Sequence, residues 1–158
     1  MRARTFDGEG AAEALRIFAS AFCLPNSFHV NGDQSGKGYT NATYRPFTLE
    51  GNFAFAAAVQ EMLIQSHSDV IRIFPAIPES WEQLSFQRLR AQGAFVVSAE
   101  MKNKQVDRVK IISEKGGVLR MVNPFASDTF RSSVAYELKN DIITVQTARN
   151  QTIVLEAQ

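Results

Sequence analysis

Cysteine is all but missing from this sequence: Cys23 stands alone among 158 residues, which excludes an internal disulfide. Set in the apolar run from Phe18 to Pro25, with neither histidine near it in sequence, it reads as a buried structural thiol. Long hydrophobic runs are missing too. None reaches the roughly 18 residues that a membrane span needs, and Met1-Arg2-Ala3-Arg4 leads into Asp7-Gly8-Glu9 rather than into an apolar signal core. No membrane partner is expected, and this end of the chain does not disclose localisation. Charge of one sign is also absent. Seventeen basic residues stand against sixteen acidic ones, a net charge of +1, and the basic residues are scattered rather than gathered, so nothing draws in nucleic acid. His29 and His67 have no second ligand at metal-site spacing, so no metal is expected. With no glycine-rich phosphate loop, Gly-x-Ser-x-Gly elbow or His-Glu-x-x-His pair, kinase, dinucleotide-binding and zincin chemistry are set aside and no cofactor is called for.

What is present has the balance of a globular protein, 45% apolar and 21% charged. From Glu9 to about Phe22, Glu13, Arg16 and Ser20 form a polar stripe opposite Ala11, Ala12, Leu15, Phe18, Ala19 and Phe22. That spacing predicts an amphipathic helix, with Asp7 as its N-cap and Pro25 past its end. Leu24 to Leu49 holds no period and reads as a long loop, whose Phe28, His29, Tyr39, Tyr44, Arg45 and Phe47 suit packing over a site. Gly51 to Gln65 reads as a second helix, and its first half, Phe53 to Val59, is apolar on every side. Such a helix has to be surrounded. The β part, a partner chain, or further helices of a larger helical domain could do so.

After Ser66-His67-Ser68-Asp69 the period becomes extended. Val70 to Phe74 reads as a strand stopped by Pro75. Phe95 to Lys102, Val106 to Ser113, Val118 to Val122, Ser133 to Leu138, Ile142 to Thr147 and Thr152 to Leu155 follow as strands, with turns at Asn103-Lys104, Gly116-Gly117, Asn140-Asp141 and Arg149-Asn150. Short strands at these intervals predict a β-sandwich. The fold class expected is therefore α+β, with a helical segment over residues 1–68 and an antiparallel β-sandwich over 69–158.

Glu50 is the one carboxylate at the start of the second helix. It either complements the positive end of the helix dipole or serves a site. Trp81, with Tyr39 and Tyr44, could stack on sugar faces, though core packing is the simpler role for Trp81.

Three ordered motifs carry a resemblance. They are Pro46-Phe47-Thr48-Leu49-Glu50-Gly51-Asn52-Phe53, Gln60 to His67, and Ile73-Phe74-Pro75-Ala76-Ile77-Pro78, followed by the strand signature Arg88 to Phe95. Together they resemble the C-terminal end of family 95 glycoside hydrolases, which include inverting α-L-fucosidases and related α-L-galactosidases. The resemblance implies that residues 1–68 are the last helices of a catalytic (α/α)6 barrel and that the remainder is the terminal sandwich of a longer, periplasmic or extracellular enzyme. It places Glu50 on the water-activating side of an inverting site, where the family motif carries aspartate. Thr48 stands where the motif has glutamine, and Tyr44 and Arg45 where histidine and proline are frequent. Tyr44, Arg45, Thr48 and Asn52 are the implied sugar-pocket residues. The general acid that inversion also needs has no counterpart here, so the chain alone is expected to be inactive. The alternatives are a carbohydrate-binding module and an assembly piece that self-associates through its apolar helix. The implied partners are thus a glycan, the missing barrel portion, or a second copy.

Overall fold

The computed structural model describes all 158 residues, and they form two compact units. One comprises Met1–Met62 with Ala76–Pro78, the other Leu63–Pro75 with Glu79–Gln158.

In the first unit, a single 3-10 turn over Arg2–Thr5 precedes α1, Gly8–Ala21. Asp7 caps α1 as its position suggested, accepting from the Gly10 amide at 2.8 Å. α2 spans Leu49–Leu63, starting two residues earlier than the period indicated and stopping two earlier. It stops because Ile64–Gln65 goes extended as β1 and pairs antiparallel with β2, Arg72–Ile73. Phe18 of α1 meets Phe55 of α2 with ring centroids 5.3 Å apart. The long stretch between the helices is tied down by short bridges, Cys23 to His29 and Val30 to Phe47. Cys23 is half-buried and free, and burial pushes its thiol pKa up, away from the thiolate that a nucleophile requires.

The second unit is an antiparallel β-sandwich. Its further strands are β3 (Leu84–Ala91), β4 (Phe95–Lys102), β5 (Gln105–Ser113), β6 (Gly117–Val122), β7 (Phe130–Ser132), β8 (Glu137–Lys139), β9 (Ile142–Thr147) and β10 (Gln151–Ala157). One sheet has the order β3-β4-β5-β10-β7 and the other β6-β9-β8. Val97, Val109, Ile111, Ile153 and Leu155 from the first and Leu119, Met121, Ile143 and Val145 from the second belong to one buried cluster, which is what alternating inward residues on two facing sheets produce. The sheets are also joined by a buried polar link: Ser113 Oγ of β5 and Thr147 Oγ1 of β9 lie 2.8 Å apart, and Thr147 donates to the Gly117 carbonyl at 2.7 Å. Asn103-Lys104 and Asn140-Asp141 turn with both residues at positive φ, as two-residue hairpin turns require.

Three strand assignments differ from the sequence reading. The run Val70 to Phe74 contributes only Arg72–Ile73 to a ladder; Ile71 makes a parallel bridge to Met121, and Phe74 turns away at positive φ. The strand expected over Ser133 to Leu138 forms only at its end: β7, paired with β10, stops at Ser132, residues 133–136 belong to no strand, and Glu137 and Leu138 open β8, which pairs with β9 in the other sheet. Ser132 makes the break, its hydroxyl donating to the Val134 carbonyl at 2.7 Å in competition with the ladder. β3 is a full strand of which only the end was legible, because a bulge between Phe86 and Leu89 interrupts its alternation.

Candidate functional site

The segment Thr48 to Asn52 opens α2 and is gripped by His29 from the preceding loop. The Thr48 amide donates to the His29 carbonyl at 3.0 Å, and the His29 amide donates to Asn52 Oδ1 at 2.9 Å. Asn52 Nδ2 in turn donates to the Ser27 carbonyl at 2.7 Å. The His29 ring stacks on Phe18 with centroids 4.7 Å apart and planes 8° from parallel, and its Nδ1 makes a short hydrogen bond with Thr48 Oγ1. The same Nδ1 lies 3.3 Å from the Thr48 carbonyl. Gly51 is required here: a Cβ at that position would lie 2.3 Å from His29 Nδ1. The residues between these anchors are therefore held on both sides, and Glu50 is left exposed in the first turn of α2.

Of the other residues named from the sequence, Tyr44 is 62% exposed, and Arg45 Nε donates to Gln34 Oε1 at 2.9 Å. Thr48 and Asn52 direct their polar atoms at the loop that carries His29, a residue whose sequence neighbours gave no sign of this function. Its partners lie 19 and 23 positions away, so the grip exists only in the fold. Trp81 is half-buried.

The loop behind this segment is organised by Asp33, which is 5% exposed. Its carboxylate accepts from the Ser35 hydroxyl at 2.6 Å, the Ser35 amide at 2.7 Å and the Tyr39 amide at 3.0 Å. These bonds, led by the Ser35 hydroxyl, hold the Asp33 pKa below the usual carboxylate value. A pKa lower in the folded than in the unfolded chain gives stabilisation that is complete above the unfolded value and is lost as pH falls through the folded one. Amide hydrogen exchange at Ser35 and Tyr39, corrected for intrinsic rates, should accelerate on acidification below the ordinary carboxylate range and be insensitive to pH above it. Unchanged protection through that range would contradict the assigned bonds.

Residues 65–155 match the description "Glycoside hydrolase family 95, C-terminal domain". The chain belongs to glycoside hydrolase family 95. The matched residues run from Gln65 in β1 to Leu155 in β10 and so take in nearly all of the sandwich. Over 88 residues the chain is also 35% identical to alpha-L-fucosidase 2 of Arabidopsis thaliana, an overlap of 54% of this chain but 10% of the plant protein. This family 95 chain therefore spans a small part of the length of the curated relative it matches.

Proposed function

We propose that the chain is the C-terminal portion of an inverting family 95 glycoside hydrolase of the α-L-fucosidase or α-L-galactosidase type, inactive on its own, with Glu50 on the water-activating side of the sugar. The observation that carries this reading is the placement of Glu50: an exposed carboxylate at a helix N-terminus whose neighbours Thr48 and Asn52 are hydrogen-bonded to His29, with Gly51 leaving room for the imidazole. A base that activates water has to be held still relative to the sugar, and this arrangement provides that. Tyr44 and Arg45 lie on the preceding stretch and would line the pocket; Thr48 and Asn52 would act by holding the turn that carries Glu50. Aryl α-L-fucosides and α-L-galactosides test the reading. The chain alone should give no turnover, and a chimera in which residues 1–158 replace the corresponding end of a full-length family 95 enzyme should hydrolyse one of them. Clear hydrolysis by the chain alone would overturn it.

The surface of α2 supports the same conclusion. Phe53 is 67% and Leu49 41% exposed, and a cavity of about 530 Å³ between the helices and the N-terminal turn is walled mainly by apolar residues, among them Leu15, Phe18 and Phe55, with Arg2, Arg4 and Glu61 also lining it. A helix built of Phe, Ala and Val is ordinarily covered; in the longer enzyme the covering elements would be the neighbouring barrel helices. In isolation the same face should bind a second copy. Light scattering over a concentration series is expected to show association, with Leu49→Ser/Phe53→Ser shifting the chain toward monomer. A monodisperse monomer at every concentration would mean that this face needs no partner.

A further inference from the structure

The sandwich carries an aromatic column that nothing in the hydrolase reading uses. Phe125 and Phe130 stack with centroids 5.0 Å apart and planes at 25°, and Phe130 and Tyr136 stack at 4.7 Å and 28°. Exposure along the column rises from 8% and 5% for the two phenylalanines to 38% for the tyrosine. Tyr136 is thus a ring backed from inside the domain and presented at the surface, immediately before β8. It borders an open depression of about 320 Å³ with Val118, Ala135, Glu137, Thr144 and Gln146. The register accounts for that grouping, since Glu137 pairs with Thr144 and Val118 with Gln146 across β8, β9 and β6. Val118, an apolar side chain, is itself 55% exposed.

We propose that this depression is a saccharide-binding subsite for a neutral pyranose, outside the hydrolytic site. A pyranose is amphipathic: one face is a patch of C–H groups and the rim is hydroxyls that both donate and accept. Tyr136 and Val118 offer the apolar counterpart, a rigid ring whose ordering is already provided by Phe130. Around it, the Gln146 amide supplies donors and an acceptor, Thr144 both, and Glu137 acceptors only, a set that matches hydroxyls and disfavours an anion. Few polar groups on an apolar floor is the usual make-up of a small-molecule site. The inference stands on the sandwich alone and does not depend on the assignment of Glu50.

Titration of the full 158-residue chain with methyl α-L-fucopyranoside and with cellotetraose, followed by amide NMR shifts, tests it. At least one probe should give saturable shifts centred on Tyr136, Thr144 and Gln146. Gln146→Ala, at an exposed position, should weaken that binding by about fivefold or more with an unchanged melting temperature, and Tyr136→Ala should abolish the shifts. The saturable shifts should spare Tyr44, Arg45 and Glu50, which separates this subsite from the hydrolytic one. Absence of saturable shifts at these residues with both probes, or binding indifferent to Gln146→Ala and Tyr136→Ala, would overturn the proposal and leave the hydrolase reading untouched.

Discussion

Glu50→Gln, introduced into a family 95 chimera that contains residues 1–158, should lower kcat by about 10²–10⁴-fold with little change in KM. The amide keeps the size and position of the carboxylate but cannot accept a proton from the attacking water, whereas the sugar contacts proposed for Tyr44 and Arg45 would be untouched. Since Glu50 is exposed and at the start of α2, the substitution removes no packing, and thermal stability should be close to that of the parent. Glu50→Asp shortens the side chain by one methylene to the residue type of the family motif, and most of the activity should survive. Michaelis parameters for the three proteins decide the matter. Glu50→Gln with parental kcat would move the base elsewhere and reduce Glu50 to a partner of the helix dipole.

Leu155→Ala should destabilise the sandwich by about 2–5 kcal/mol. Leu155 is fully buried on β10, whose residues pair with β5 on one side and β7 on the other, so the cavity left behind has walls on several strands that cannot close over it together. Chemical denaturation of the chain, followed by a signal from the sandwich, would show the midpoint falling at constant slope. A loss below about 1 kcal/mol would mean that the site collapses around the missing atoms, contrary to the dense packing of such interiors.

How much of this was legible beforehand depended on whether a feature is local. The Asp7 cap, the hairpin turns at Asn103-Lys104 and Asn140-Asp141 and the alternation of β4 and β5 are fixed by residues a few positions apart, and the sequence shows them. β3 escaped because one extra residue in a bulge shifts the phase of its alternation. The run Ser133 to Leu138 alternates as a strand does, but Ser132 leaves the ladder just before it and the chain passes to the other sheet, where only Glu137 and Leu138 of the run pair. The candidate site was legible in part. Glu50, Gly51 and Asn52 stood out as a motif, but the reason Gly51 has no side chain is the ring of His29, and no spacing rule connects residues that far apart. The column ending at Tyr136 was hidden for the same reason: three rings spread over a dozen positions acquire a common axis only after the sheets have formed.

The position of β10 between β5 and β7 has a consequence for assembly. β7 is translated well before residues 151–157, yet its ladder partner is that later segment, and the same segment completes the pairing of β5. On a ribosome, the hairpins from β3 to β5 can form early, but β7 must wait with an unpaired edge, a state that invites association between nascent chains. The brevity of β7, three residues, keeps that exposed edge small until its partner arrives.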